Sequence, residues 1–370
     1  MASFILQHLA SLRRPLLKVL PWAITIAALY YTFKGISISV LVDHLHEAKL
    51  NFVFAALLLT SASYLLRAYR WQKLFPVHTL SYANAARVLF LGFFMNNILP
   101  ARAGEFVRAH MGARVSGETR TLVLATIASE RLVDGLTISF LFVLFSLGMG
   151  DADTSHNMLL VAWLFAGAGA SVVAVLLLRE QLLSLAGRLH RRIDSPRSEY
   201  LIGRLELFLH GLSPLCSLRK AIPIALWSFT IWGVELLVYG AVTRSFGADL
   251  TWAQCVLFLV AVNFSSLIPA APGGIGVIEA VATTVLVSVG VEREHALTMA
   301  ICQHFIQYLV VGIPGAIIML NWKKTIEQAR AMEGRDSEGA DLESNSKAQS
   351  SHASQPPTEA ATLSGGARLR

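Results

Sequence analysis

The chain has 370 residues, of which 54% are apolar and only 15% charged, and its mean hydropathy is +0.56. That composition excludes an ordinary soluble globule and points to a polytopic membrane protein. The formal net charge of +7 would suggest nucleic acid in a soluble chain, but here Lys and Arg cluster between apolar runs, as they do in cytoplasmic loops, so no nucleic-acid partner is read from it. Cys216, Cys255 and Cys302 lie far apart and spell neither a metal knuckle nor a disulfide framework, so no cofactor and no metal are expected.

Crossing about 30 Å of hydrocarbon takes roughly 20 apolar residues. After a cytoplasmic N-terminus over 1-15, the first apolar run, 16-34, reads as a retained helix, since no small-residue cleavage site closes it. Further full crossings are predicted near 50-66, 122-148, 157-178, 221-243 and 296-320, which makes six. Two shorter runs, 83-99 and 252-268, end in similar interruptions. The first reads Asn97-Ile98-Leu99-Pro100-Ala101-Arg102-Ala103-Gly104-Glu105. The second runs from Asn263 to Pro269-Ala270-Ala271-Pro272-Gly273-Gly274-Ile275-Gly276, with Glu279 one turn on and another apolar run over 275-290. Unpaired peptide groups cost several kcal/mol each in lipid, so such backbone must line a cavity or be buried in protein. These segments are therefore predicted to be re-entrant half-helix pairs around a midplane site. The stretch from Glu105 to Arg120 carries too much charge to cross and is expected as a short amphipathic segment near the interface.

The predicted fold is thus an all-α integral membrane protein over 16-325, with six full transmembrane helices plus two re-entrant segments, about eight hydrophobic segments in all. Loop charges place both termini in the cytoplasm: Arg13, Arg14 and Lys18; Arg67, Arg70 and Lys73; Arg102, Arg108, Arg114 and Arg120; and Lys323 and Lys324 all fall on one side. The two halves then have opposite orientations, an inverted repeat. Residues 179-220 form a basic connector expected on the inner leaflet, and 326-370 is too poor in large apolar residues to fold and is predicted to be disordered.

Glu130, Arg131 and Asp134 stand inside the third crossing, where three unpartnered charges would cost on the order of 10 kcal/mol. Either they form an ion-pair knot through Arg67, Arg70 or Arg102, or Arg131 holds an anionic headgroup that the carboxylates orient. Glu279 either caps the helix after the glycines or leaves that helix end facing an anion. The glycines lack the Lys-Ser/Thr of a nucleotide-binding loop. Gln303, His304, Gln307 and Tyr308 share one side of the last crossing, which is expected to face the protein interior, and Glu235 is an isolated intramembrane carboxylate.

Four pieces in this order carry a family resemblance: Arg67 with Arg70-Trp71; Asn97-x-x-Pro100-x-Arg102-x-Gly104-Glu105-x-x-Arg108; Glu130-Arg131-x-x-Asp134; and Pro269-x-x-Pro272-Gly273-Gly274-x-Gly276-x-x-Glu279. Together they resemble the flippase-like membrane region of the lysylphosphatidylglycerol synthase family, over about residues 15-325. The resemblance implies a bacterial or archaeal inner-membrane protein related to domains that move lipids between leaflets. No aminoacyl-transfer domain follows Lys324, so synthase activity is not carried over. The positions carried over as cavity or headgroup residues are Arg102, Glu105, Arg108, Glu130, Arg131, Asp134 and Glu279. Asn97, Pro100, Gly104, Pro272, Gly273, Gly274, Gly276, Gln303 and Gln307 complete the candidate site.

The expected function is translocation of a membrane lipid with an anionic or zwitterionic headgroup. The competing expectations are an integral-membrane glycosyl or phosphoryl transferase, with Asp151-Ala152-Asp153 as its best local support, and a non-transporting accessory subunit. Oligomeric state leaves no readable mark in the sequence.

Overall fold

The computed structural model describes residues 20–75, 80–146, 196–266 and 268–322, with a few single positions between 167 and 188. Two units divide the chain, Met1–Ile318 and Met319–Arg370, and the first holds everything discussed below. The described residues are helical and contain no strand.

Helix α3 (Leu50–Lys73), helix α8 (Leu218–Ser245) and helix α11 (Arg293–Trp322) are long and apolar enough to cross a membrane. A fourth span is reached if α1 (Leu20–Phe33) and α2 (Ile38–Glu47) are counted together, although they meet at 75°. Where the crossing at 16-34 was expected, the described residues are helical over Leu20–Phe33 and end in a bend. Gly35 sits in that bend at φ +78°, a conformation that costs glycine nothing. Helix α6 (Arg120–Ser146) has 27 residues, about 40 Å at 1.5 Å per residue, but carries Glu130, Arg131 and Asp134 in its interior. Among the described residues, three helices, or four spans with the bent pair, are thus long and apolar enough to cross, against the six crossings expected for the whole chain. The run at 157-178, the Asp151 and Asp153 pair and the tail at 326-370 lie outside the described residues.

Both interrupted segments are helical hairpins. Ser81 accepts a hydrogen bond from the Asn84 N–H at the start of α4 (Tyr82–Ile98), which stops just before Pro100. Pro100–Arg102 makes one 3-10 turn, and α5 (Gly104–Ser116) folds straight back along α4. A Cβ added at Gly104 would meet Gly92 O and the Asn96 backbone, and one at Gly92 would meet the Arg108 side chain, so the two limbs touch through missing side chains. The expected interfacial segment is accordingly a packed helix, with Arg108, Ala109, Met111 and Gly112 buried. In the second hairpin a capping box between Thr251 and Gln254 starts α9 (Trp252–Ser265). The chain then passes the Pro272–Gly274 turn and returns as α10 (Val277–Ser288), with Gln254 Nε2 donating to Val289 O.

Part of the basic connector also packs inward. Helix α7 (Pro196–Gly211) places Arg204 Nη1 2.7 Å from Thr121 Oγ1, and a Cβ at Gly211 would lie 2.5 Å from Ala125 Cβ. This half of the connector docks on α6.

Candidate functional site

The charges that the sequence places in apolar helices meet in three groups. Arg67 and Arg70 lie one turn apart on α3 and face α6 and α8. Arg67 reaches Glu235 Oε1 at 3.1 Å and Asp134 Oδ2 at 3.5 Å, while Arg70 Nη1 lies 2.6 Å from Asp134 Oδ1 and also donates to Ser228. Ser63 donates to Glu235 at 2.7 Å, the Trp232 indole donates to Asp134 at 2.9 Å, and the Arg67 guanidinium lies over the Trp232 ring at 4.6 Å. Each buried charge in this group thus has an opposite charge within 3.5 Å, and Glu235, Asp134 and Arg70 each have a neutral partner besides, which lowers the cost of keeping ions out of water.

The second group joins α5 to α6. Arg108 makes two bonds to the Glu130 carboxylate, at 3.1 and 2.5 Å, and its guanidinium lies 4.0 Å from the Trp71 ring centroid. Trp71 is fixed in turn by donating to Thr126 Oγ1 at 3.1 Å. A planar guanidinium suits both contacts: two parallel N–H donors on a carboxylate and a flat face on an indole. In the third group, Arg131 pairs with Glu105 at 3.0 Å and lies 3.7 Å from Glu130, with its side chain about a third exposed (32%).

The ion pairs thus run through Arg67 and Arg70, two of the three arginines that the knot reading offered, and through Arg108, which it did not name, while Arg102 is not among them. Arg102 instead donates to Ser266 Oγ at 2.6 Å, linking the first break to the second, and makes no ion pair within 4 Å among the described residues. Its φ of +55° makes it the one non-glycine residue with positive φ among those described. Such a conformation costs a non-glycine residue on the order of 1–3 kcal/mol, and strain of this kind gathers at functional sites.

Between the two breaks lies a cavity of about 320 Å³. Its wall takes Tyr64 and Arg67 from α3, Asn96, Asn97 and Arg102 from the first break, Arg131 from α6, and Trp232 and Glu235 from α8. Asn263, Ser266 and the backbone around Gly273 and Gly274 come from the second break, and His304, Gln307 and Tyr308 from α11. Gly273 is at φ +72°, and a Cβ there would overlap Tyr308 Oη, so no other residue allows α11 so close.

Behind this wall Glu279 does two jobs. One oxygen accepts from the Gly276 N–H at 2.6 Å and the other lies 2.6 Å from His304 Nδ1. The helix end in the second break is thus capped by its own carboxylate and does not face the cavity as a free anion site. Gly276 is pressed against α1, where a Cβ would meet Leu29 and Thr25 O.

Of the sixteen candidate residues, Asn97, Arg102, Arg131, Gly273, Gly274 and Gln307 border the cavity. Gly104, Glu105 and Arg108 line a narrow crevice behind Arg131. Glu130, Asp134, Glu279 and Gln303 are buried, while Pro100 and Pro272 open the two 3-10 turns. Tyr64, Asn96, Trp232 and Ser266 border the cavity and escaped sequence reasoning. Asn96 offered a signal, since it precedes Asn97 at the mouth of the break.

Compared with known proteins, residues 18–315 match the family of the lysylphosphatidylglycerol synthase TM region. A UPF0104 membrane protein of Pyrococcus horikoshii is 25% identical over 305 residues, covering 76% of this chain and 90% of that protein. The UPF0104 membrane protein MJ1078 of Methanocaldococcus jannaschii is 25% identical, over 61% of this chain and 92% of its own length. The glycosyltransferase AglD of Haloferax volcanii is 26% identical over 355 residues, and this chain spans 56% of its length.

Proposed function

The chain belongs to the family of the lysylphosphatidylglycerol synthase TM region, and from that premise we propose that it is a lipid translocase of the cytoplasmic membrane, with both termini cytoplasmic. In this reading six full crossings are joined by two re-entrant hairpins, α4–α5 and α9–α10, and the halves rock about the cavity between them. A headgroup enters that cavity while its acyl or prenyl chains stay in lipid. Arg102 and Arg131 hold its negative charge. No nucleotide-binding motif is present in the sequence, so movement runs downhill or is coupled to an ion gradient.

One observation carries the proposal. Two polar breaks, at 100–102 and 272–274, close on a single cavity lined by three arginines, Asn, Gln and Tyr, in a chain whose long helices are apolar. Polar backbone of this kind is tolerated at membrane depth where it lines a cavity.

The test is transbilayer movement of headgroup-labelled lipids in proteoliposomes, comparing the native chain with Arg131→Ala and Arg102→Ala. Movement of one lipid class, stopped by both substitutions in folded protein, is the expected result. A folded preparation that moves no lipid, with or without an imposed proton or sodium gradient, overturns it. A second reading, a lipid-modifying transferase, draws support from the name of the Haloferax relative. It predicts that alanine at Asp151 and Asp153 abolishes activity, whereas a translocase keeps its rate.

A further inference from the structure

Resting on the translocase reading, we propose that the cavity selects an anionic, hydroxyl-rich lipid headgroup and rejects cationic ones. A primary ammonium headgroup, aminoacyl or ethanolamine, carries three N–H donors and is held best by a carboxylate with free lone pairs facing it. Around this cavity Glu105, Glu130, Asp134 and Glu235 each lie against an arginine, at 3.0, 2.5, 2.6 and 3.1 Å respectively. Glu235, the one carboxylate that borders the cavity, also accepts from Ser63. Recruiting Glu130, Asp134 or Glu235 to a cation would leave a buried arginine unpaired, a penalty that a new ammonium–carboxylate pair does not offset. Glu105, on a partly exposed pair, lies behind Arg131 and does not border the cavity.

The cations are distributed otherwise. Four arginines answer those four carboxylates, and Arg102, bordering the cavity, is left over with a serine for its partner. A phosphate oxygen could replace Ser266 and make a charge-assisted, two-pronged contact. The remaining wall is neutral and made for hydroxyl groups. Asn96 Oδ1 and Tyr308 Oη are buried with no hydrogen-bond partner, and Asn97 and Gln307 stand beside them. Buried polar atoms of this kind are normally satisfied, so an unsatisfied acceptor and an unsatisfied hydroxyl on two residues of the cavity wall point to a ligand that supplies both donor and acceptor once these side chains turn to it. A volume near 320 Å³ is at the small end of ligand sites, suited to a phosphate with one glycerol- or sugar-sized polyol.

The test uses the full chain in phosphatidylcholine vesicles carrying, in turn, phosphatidylinositol, phosphatidylglycerol, phosphatidic acid, phosphatidylethanolamine and lysylphosphatidylglycerol. Outer-leaflet headgroups are read with periodate for the diols, an amine reagent for the ammonium lipids and added phosphatase for phosphatidic acid. The diol lipids should move at least tenfold faster than the two ammonium lipids. Tyr308→Phe, which removes one atom, should slow the diol lipids about 2- to 10-fold and leave phosphatidic acid unchanged, whereas Arg102→Ala should slow all three anionic lipids. Equal rates for lysylphosphatidylglycerol and phosphatidylinositol overturn the proposal, as does a Tyr308→Phe defect that is the same for phosphatidic acid.

Titration of Trp fluorescence with inositol phosphate, glycerol phosphate and the same lipids in nanodiscs separates the sources. Soluble headgroups that bind as tightly as the lipids make this a site for free phosphate esters and overturn the lipid assignment. Headgroup-selective binding without movement refutes translocation and supports this inference, while movement without headgroup preference does the reverse.

Discussion

The Arg108–Glu130 pair offers the sharpest test of which charges hold the fold and which serve the cavity. Glu130 is fully buried and Arg108 is 2% exposed. Replacing Arg108 by Met leaves Glu130 with one distant cation, Arg131 at 3.7 Å. Breaking a buried pair by removing one partner costs about 3–5 kcal/mol. Loss of the guanidinium from the Trp71 ring, 4.0 Å away, adds about 0.5–2 kcal/mol. Glu130→Met should cost somewhat less, because the arginine keeps its indole. The double replacement removes both charges and fills the space with apolar atoms, an exchange that is often near neutral, so it should cost about 1–2 kcal/mol, mostly the Trp71 contact. The two single losses together then exceed the double loss by at least about 3 kcal/mol.

The assay is denaturant titration in detergent followed by Trp fluorescence, coupled to lipid movement by the same variants. Losses that add within about 0.5 kcal/mol would refute the ion pair as a structural unit. A double variant that folds but moves no lipid would refute the division between structural and cavity charges, because neither side chain borders the cavity.

Arg102 separates strain from charge: Arg102→Gly should be more stable than Arg102→Ala by about 1 kcal/mol, since only glycine relaxes at φ +55°, and both should lose transport. Chemical denaturation of the two variants checks the ordering. Gly273→Ala should destabilise by several kcal/mol through the Tyr308 clash, and Tyr308→Ala in the same chain should recover all but about 1–2 kcal/mol, the cost of alanine at φ +72°. Parallel melting curves read it. Glu279→Ala should cost about 1–3 kcal/mol by uncapping α10 and leaving the Gly276 N–H and His304 unpartnered, while Glu105→Ala, on a partly exposed pair, should change stability by under about 1 kcal/mol.

Local chemistry made the breaks legible. Pro100 and Pro272 cannot continue a helix, Gly273 and Gly274 adopt positive φ, and both signals lie in a few consecutive residues. The pairing of charges was legible as a demand and not as a map. Glu130, Asp134 and Glu235 were visible as three carboxylates in otherwise apolar segments, and Arg67, Arg70 and Arg108 as cations in the charged stretches next to such segments. Which met which depends on contacts across 64 residues for Arg70–Asp134 and 168 for Arg67–Glu235, beyond the reach of any helical period. The same blindness misplaced Arg102, since a side chain a few residues past an asparagine-rich break can turn to α6 or to the second break with equal ease. The bend at Gly35 was missed because the run before it is mostly apolar and hydropathy is indifferent to direction.

The arrangement divides the polar groups into two kinds with different physical duties. Arg67, Arg70 and Arg108 cancel against Glu130, Asp134 and Glu235 and hold α3, α5, α6 and α8 together, while Arg131, about a third exposed against Glu105, still borders the cavity. Glu279 cancels a helix end and an imidazole in the same way. What remains weakly committed is Arg102, held in a strained backbone between the two breaks, and a set of buried neutral atoms that includes Asn96 Oδ1 on α4 and Tyr308 Oη on α11. A site that must bind and then release a headgroup needs groups whose partners are weak enough to be exchanged. A serine hydroxyl on Arg102 is such a partner, and the carboxylates buried against Arg70 and Arg108 are not, because parting a buried charge from its partner costs several kcal/mol. Exchange is therefore confined to the seam between the breaks, where the two halves of the fold meet.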